Sequence, residues 1–210
     1  MKQIPLIVDI RDFNVIAGFN MNIDAVQLHR FTRMVQESEL KNRVPSEFYD
    51  AIIDLSEETI DEWDDQHDYV VDDKVTFDDR LFESKTSNTN EKPVVDGVVD
   101  DNNWTELDLW SILRDYIKPY IVNMTAADFV TEHGIDVSST GMTKIEGTTN
   151  KPIEPAERGM MVRNYTSRAN RYWAALLNYL DSVDWTIDGT TYNFGSSEVK
   201  KKPKMKIRVS

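Results

Sequence analysis

Near the start of the chain, hydrophobic residues recur at helical spacing, and polar residues mark where helices begin. Asp24 and Gln27 have the spacing of a capping box, which predicts a first helix over about residues 24–43. Pro45 interrupts that helix, and Ser46 can cap a shorter second one because its hydroxyl accepts from free amides of the first turn. The short connection predicts a helical hairpin.

The broadest hydrophobic stripe predicts the clearest helix. Thr105 and Asp108 form a capping pattern at its start, and Gly134 is typical of a helix end. Pro119 lacks an amide proton and its ring clashes with the preceding turn, so we expect a kink or a restart of the helix there. The stripe requires burial against other helices. Its residues are Leu109, Ile112, Leu113, Tyr116, Ile117, Tyr120, Ile121 and Met124.

A last helix is predicted from Pro155, which suits a first helical turn, to about residue 181. Its apolar face contains Met161, Tyr165, Ala169, Tyr172, Trp173, Leu176 and Leu180. Further on, Asp188 and Gly189 form a two-residue turn signal between β-prone residues. This pattern predicts a hairpin.

The helical period is absent from about residue 56 to residue 103. Residues 68–83 predict one or two edge strands, and residues 84–103 have the composition of an exposed linker. We therefore predict a mainly α fold, a helical bundle of three to four helices with a small β element and an extended C-terminal arm. Residues 1–184 would form the body with the acidic insertion, and residues 185–210 the hairpin and basic arm.

Charge is distributed unevenly along the chain, whose net charge is −13. Residues 47–102 contain 19 acidic and four basic residues, whereas residues 200–208 contain six basic and no acidic ones. A basic arm on an acidic body suits a subunit that docks on an acidic surface, including a copy of itself. We predict the six basic residues as the assembly interface: Lys200, Lys201, Lys202, Lys204, Lys206 and Arg208.

Residues 61–68 are the only segment whose composition suggests a metal site. Calcium loops need a glycine for their turn, and no glycine occurs from 19 to 96. A solvated acidic face is the favoured interpretation, although Asp64, Asp65 and His67 leave a small metal-dependent hydrolase as the alternative. The absence of cysteine excludes disulfides, thiol catalysis and thiolate metal sites. We predict no catalytic, cofactor-binding or metal-binding residues and no cofactor.

The sequence also lacks the motifs of common enzyme classes. It contains no nucleophile elbow, phosphate-binding loop or dinucleotide fingerprint, so we predict that the protein is not an enzyme. Arg163, Arg168 and Arg171 near Tyr165 and Trp173 could imitate a base-stacking strip. The helical spacing instead favours aromatic residues in the core and arginines toward solvent. A soluble regulatory binding module is a further alternative.

Four segments resemble proteins of the neck of tailed bacteriophages. Asn22–Lys41 and Pro45–Ile52 are similar to the first two helices of head–tail connector (adaptor) proteins, the second through its Phe48-Tyr49-Asp50-Ala51 run. Trp110–Ile121, with Lys118-Pro119-Tyr120, resembles the central helix of neck ring proteins from crAss-like Bacteroidales phages. Asn170–Leu180 resembles the last helix of the same group.

The resemblance, over about residues 20–55 and 105–182, implies a structural virion protein. Such a subunit is a helical bundle that assembles with itself as a ring of twelve beneath the portal protein. The implied partners are the portal and adjacent neck or tail ring proteins, and genomic DNA passes through the lumen without specific binding. The implied location is the virion neck, after synthesis in the host cytoplasm. We expect no membrane partner, because no run approaches the roughly 18 apolar residues that a membrane helix needs.

Overall fold

The computed structural model describes residues 5–18, 25–133, 143–146, 149–152, 154–182, 185–187 and 190–192. The chain divides into two compact units. The helical unit comprises Met1–Ser56 and Asp115–Ser210, and the β unit comprises Glu57–Arg114.

The helical unit contains most of the long helices. The α-helices among the described residues are α1 (Ile10–Asp12), α2 (Ala25–Met34), α3 (Lys41–Arg43), α4 (Ser46–Glu57), α5 (Asp108–Ile112), α6 (Lys118–His133) and α7 (Pro155–Ser182). Wider π-helical turns occupy Phe13–Ala17, Val35–Leu40 and Leu113–Ile117. Two antiparallel strand pairs are described by their backbone, β9 (Thr143–Glu146) with β10 (Thr149–Pro152) and β11 (Trp185–Ile187) with β12 (Thr190–Tyr192). The second pair lies where the sequence predicts a hairpin.

Helix α6 is the centre of the helical unit. Its side chains are buried around the whole circumference, including Tyr120, Val122, Ala126 and Val130, since its apolar residues are not confined to one stripe. Helix α7 packs along it, with the Tyr120 ring centroid 5.2 Å from that of Trp173. This burial anchors the whole unit on one helix.

The predicted helices are present with altered boundaries. Thr105 does not cap the central helix, because it lies in a strand; α5 begins at Asp108 after the extended residue Leu107, which makes no side-chain cap. Near Pro119 the helix type changes: the π-helical segment Leu113–Ile117 ends directly before α6, which begins at Lys118. A wider turn accommodates the proline ring and its missing amide proton. The predicted signals at Asp24 and Gly134 lie outside the described residues.

One buried polar side chain holds the first described residues against the helical unit. Gln36, 1 % exposed in the second π-helical segment, donates from Nε2 to the Pro5 carbonyl at 2.8 Å. Its Oε1 accepts the Ile7 amide proton at 3.0 Å. A buried amide that is hydrogen-bonded at both ends fixes a specific path for the chain.

The β unit is built on a four-stranded mixed sheet in the order β1-β3-β4-β8. Its strands are β1 (Asp61–Glu62), β3 (Lys74–Phe77), β4 (Arg80–Ser84) and β8 (Trp104–Glu106), of which only the β1–β3 pair is parallel. Two small antiparallel pairs join it: β2 (Asp68–Tyr69) with β5 (Asn88–Thr89), and β6 (Val94–Val95) with β7 (Val98–Val99). Tyr69, Val75, Phe82 and Trp104 form the core.

The predicted fold class, a helical bundle with a small β element, is therefore wrong. The segment expected to hold one or two edge strands and a linker is a unit with its own sheet and its own aromatic core. Its strands are two to five residues long, too short for a period-two pattern to stand out. The linker composition at 84–103 belongs to turns between strands, and Trp104 beside it is fully buried.

Candidate functional site

The whole net negative charge of the chain resides in the β unit. Residues 57–114 contain eighteen acidic and five basic residues, a net charge of −13, equal to that of the entire chain. The rest of the sequence is neutral in sum and includes the basic residues at 200–208. The acidic excess is therefore concentrated in one unit, and basic segments elsewhere in the sequence offer it electrostatic partners.

Tight turns display the acidic residues of the β unit around its short strands. Asp72, Asp78, Asp79 and Asp96 have positive φ angles, between 49° and 71°. Aspartate tolerates this left-handed conformation better than most residues because its short polar side chain can bond locally. The result is a surface of dispersed carboxylates and not a cleft lined by them.

Two basic residues of the β unit already have acidic partners. Lys74 Nζ lies 2.7 Å from Glu58 Oε1, and the Arg80 guanidinium binds the Glu106 carboxylate through two donors. The hydrogen bond to Glu106 raises the pKa of Arg80. Burial, and then the charge of Glu106, raise the pKa of Asp108. These pairs leave most of the acidic residues uncompensated.

Three of the carboxylates at 61–68, those of Asp64, Asp65 and Asp68, accept hydrogen bonds. Asp64 Oδ1 accepts the Gln66 amide proton at 2.8 Å, and Asp68 Oδ1 accepts from the Thr89 hydroxyl. The His67 ring packs 4.7 Å from the ring of Tyr69. Across the described residues, no three His, Asp or Glu side chains come together as a metal site. Asp64, Asp65 and His67 are therefore not brought together as a group of three metal ligands in this part of the chain.

The β6–β7 hairpin presents an apolar face to solvent. Val95 and Val98 stand directly opposite each other in the strand register and are 54 % and 69 % exposed. Val94 and Val99, the next cross-strand pair, pack against the core of the unit. The two-residue turn that joins β6 to β7 needs two positive φ angles, which Asp96 and Gly97 supply. We call Val95 and Val98 the outer valine pair.

A basic strip lies on the solvent side of α7. Arg163, Arg168 and Arg171 are exposed, whereas Trp173 and Leu176 are buried, as the sequence pattern predicts. An open groove follows this side of the helix, lined by Val162, Arg163, Thr166, Ser167, Asn170, Arg171 and Ala174. In the described part of the chain none of the three arginines forms an ion pair. We call them the α7 arginine strip.

Tyr120 has a raised pKa and lies at a packing contact of the helical unit. Burial raises the pKa of Tyr120 to about 12, and its hydroxyl has no hydrogen-bond partner among the described residues. The Arg43 guanidinium lies 5.7 Å from the Tyr120 ring and 5.4 Å from the Trp173 ring, and Glu39 binds it at 2.9 Å. Tyr120 stays protonated near neutral pH, and its contacts with Trp173 and Arg43 pack α3, α6 and α7 together.

Sequence reasoning missed the outer valine pair but correctly predicted that the α7 arginine strip faces solvent. The outer valine pair was hidden in apparent linker composition, although Asp96-Gly97 between valines is a recognised hairpin signal. The predicted assembly residues, Lys200, Lys201, Lys202, Lys204, Lys206 and Arg208, lie outside the described residues.

Comparison with known proteins gives one match. A model described as a family of unknown function, DUF6712, matches residues 55–191, which include the whole β unit together with α6 and α7. No curated protein and no solved structure matches the chain significantly. None of the described helices is both long enough and apolar enough to cross a membrane. Because the match covers more than half of the chain, the protein belongs to the DUF6712 family.

Proposed function

We propose that this protein is a structural subunit of the head–tail connector (neck) ring of a tailed bacteriophage of the crAss-like type, and not an enzyme. The observation that carries the proposal is charge separation within one chain. An acidic β unit with a net charge of −13 accompanies a helical unit that bears the α7 arginine strip. The resemblance of the helices to connector proteins supplies the assembly in which such polarity is useful.

Opposite charges on different parts of one subunit favour head-to-tail contacts between copies. A heterologous contact of this kind repeats around a closed ring when its rotation closes. The resemblance implies twelve copies beneath the portal protein, with the adjacent neck or tail ring proteins as further partners. The virion neck is the proposed location, reached after synthesis in the host cytoplasm.

An acidic surface is compatible with a DNA conduit. Duplex DNA is attracted by basic surfaces, and each phosphate contact adds to affinity in a salt-dependent way. A wall rich in uncompensated carboxylates repels the phosphates, so DNA can pass the β unit without being held. The proposal therefore includes passage of genomic DNA without specific binding.

The experiment is a deletion of residues 198–210, compared with a full-length variant whose six basic residues at 200–208 are replaced by glutamine. Incorporation into the phage neck, or into complexes with the purified portal protein, is measured for both. Affinity of the intact protein for duplex DNA is measured at near-physiological salt. We expect both variants to lose incorporation and the intact protein to bind DNA negligibly.

The opposite pattern of results would reject the proposal. If the intact protein neither self-associates nor binds portal or neck proteins, it is not a ring subunit. If both variants assemble normally, the basic segment is not the assembly element. Tight DNA binding that depends steeply on salt and disappears with the deletion would instead favour a DNA contact.

The small metal-dependent hydrolase and the regulatory binding module receive no comparable support. The hydrolase needs convergent ligands, whereas the Asp64 and Asp65 carboxylates accept hydrogen bonds from the adjacent Gln66. No observation on the described residues favours a regulatory ligand.

A further inference from the structure

The outer face of the β6–β7 hairpin is free of contacts that would bury it in the β unit. Val95 and Val98 point away from the side on which Val94 and Val99 reach the core, because successive residues of a strand alternate between its faces. Two adjacent β-branched side chains at 54 % and 69 % exposure form a small apolar platform. Such a face is suited to a partner with apolar side chains at strand spacing.

The chain that surrounds this platform is acidic. Glu91, Asp96 and Asp101 are exposed in the hairpin and the segments beside it. Asp100 is already engaged, since its carboxylate accepts from the Asn102 amide and from Asn103 Nδ2. A segment that docks on the outer valine pair should therefore combine apolar residues with positive charges beside them.

Residues 204–209 of the sequence have this combination. Lys204, Lys206 and Arg208 alternate with Met205, Ile207 and Val209. In an extended segment, this alternation places three apolar residues on the side that meets the valines. The basic residues start from the other side, and their long flexible stems let the charged ends reach the acidic residues beside the platform. Lysines beside the apolar residues would select an acidic surface and discourage indiscriminate pairing.

We propose that the outer valine pair of one copy is the docking surface for residues 204–209 of a neighbouring copy. The inference rests on the proposed function and names the receptor for the basic segment: the acidic β unit of the same kind of chain, and not the portal or DNA. A surface on one unit and its complement elsewhere in the same chain produce a head-to-tail contact, which is the contact that a ring repeats.

The absence of cysteine from the chain allows a direct test by cross-linking. One copy carries Val98→Cys, and a second, mass-tagged copy carries Ile207→Cys; the mixture is oxidised with glutathione disulfide. We expect a disulfide-linked heterodimer. The matched control replaces Val98→Cys by Val71→Cys, another half-exposed valine of the β unit, and is expected to give background only.

A second test does not depend on cysteine. Val95→Thr with Val98→Thr keeps β-branched side chains but adds hydroxyls to the docking face, and should weaken self-association of the full chain about tenfold. Val70→Thr with Val71→Thr, at similar exposure, should leave self-association unchanged. Added salt should weaken association of the unmodified chain, because the contact includes exposed charges.

The outcomes separate this inference from the proposed function. If the chain forms rings but neither test distinguishes the valine pairs, the docking surface is wrong while the ring subunit stands. If a Val98→Cys, Ile207→Cys double variant links only within one copy at every concentration, the segment binds its own chain and the inference fails. If copies never associate, alone or with portal protein, both proposals fail.

Discussion

The rings of Tyr120 and Trp173 lie 5.2 Å apart at the contact between the two longest helices of the helical unit. Tyr120 is fully buried and Trp173 is 7 % exposed. The Arg43 guanidinium lies against both rings, so aromatic packing and a cation contact converge at one point. This point connects α6, α7 and α3 and is the natural place to test the stability of the unit.

Trp173→Ala should destabilise the helical unit by about 3–5 kcal/mol, because it removes a large buried aromatic side chain and leaves a cavity beside Tyr120. The measurement is urea unfolding followed by circular dichroism. Arg171→Ala, on the exposed side of the same helix, is the control and should change stability by less than about 0.5 kcal/mol. An unchanged midpoint for Trp173→Ala would place the side chain on a surface.

Tyr120→Phe should be neutral or stabilising near neutral pH, because the buried hydroxyl has no partner among the described residues. Burial raises the pKa of Tyr120 to about 12, against an ordinary value of 10.0. Below pH 10 the raised pKa does not reduce the free energy of unfolding. As the pH rises from 10 toward 12, this tyrosine ionises first in the unfolded chain, so the free energy of unfolding falls by about 2–3 kcal/mol.

The measurement for Tyr120 is unfolding free energy as a function of pH between 8 and 12. The Tyr120→Phe variant should show a shallower decline than the unmodified protein. Tyr172→Phe, at a half-buried position of α7, controls for the loss of a tyrosine hydroxyl. Parallel curves for the unmodified protein and Tyr120→Phe would contradict the assignment.

Gln36→Leu should lower the free energy of unfolding by about 1–3 kcal/mol, because it leaves the Ile7 amide and the Pro5 carbonyl without their side-chain partner. Hydrogen exchange should become faster at the Ile7 amide in particular. Glu37→Ala, at the next, exposed position, serves as the control and should leave this exchange rate unchanged. Equal protection of Ile7 in both variants would show that Gln36 does not hold this segment.

Combined replacement of Asp64, Asp65 and His67 by alanine should leave assembly intact and reduce stability by about 1 kcal/mol or less, because these side chains are exposed. Calorimetry of the unmodified protein with Ca²⁺ and with Zn²⁺ should detect no stoichiometric binding. Tight binding of either ion that the triple variant abolishes would revive the hydrolase alternative.

Local patterns in the sequence predicted the long helices, although not all of their boundaries. The stripe through Trp173 and Leu176 predicts both the length of α7 and its buried side, because a long amphipathic helix repeats its signal over many turns. The second helix from Ser46 is confirmed for the same reason. The arginines opposite Trp173 face solvent as that periodicity requires.

The existence of the β unit and the exposed fractions of Val95 and Val98 are determined only by the tertiary structure. Its strands contain too few residues to carry a periodic signal, and its stability comes from Tyr69, Phe82 and Trp104, which are distant in sequence and meet only on folding. The same holds for Tyr120, whose perturbed pKa depends on burial by neighbouring helices. Helical periodicity is local and can be read from one segment, whereas sheet pairing and burial are relations between segments, so they appear only when the chain is folded.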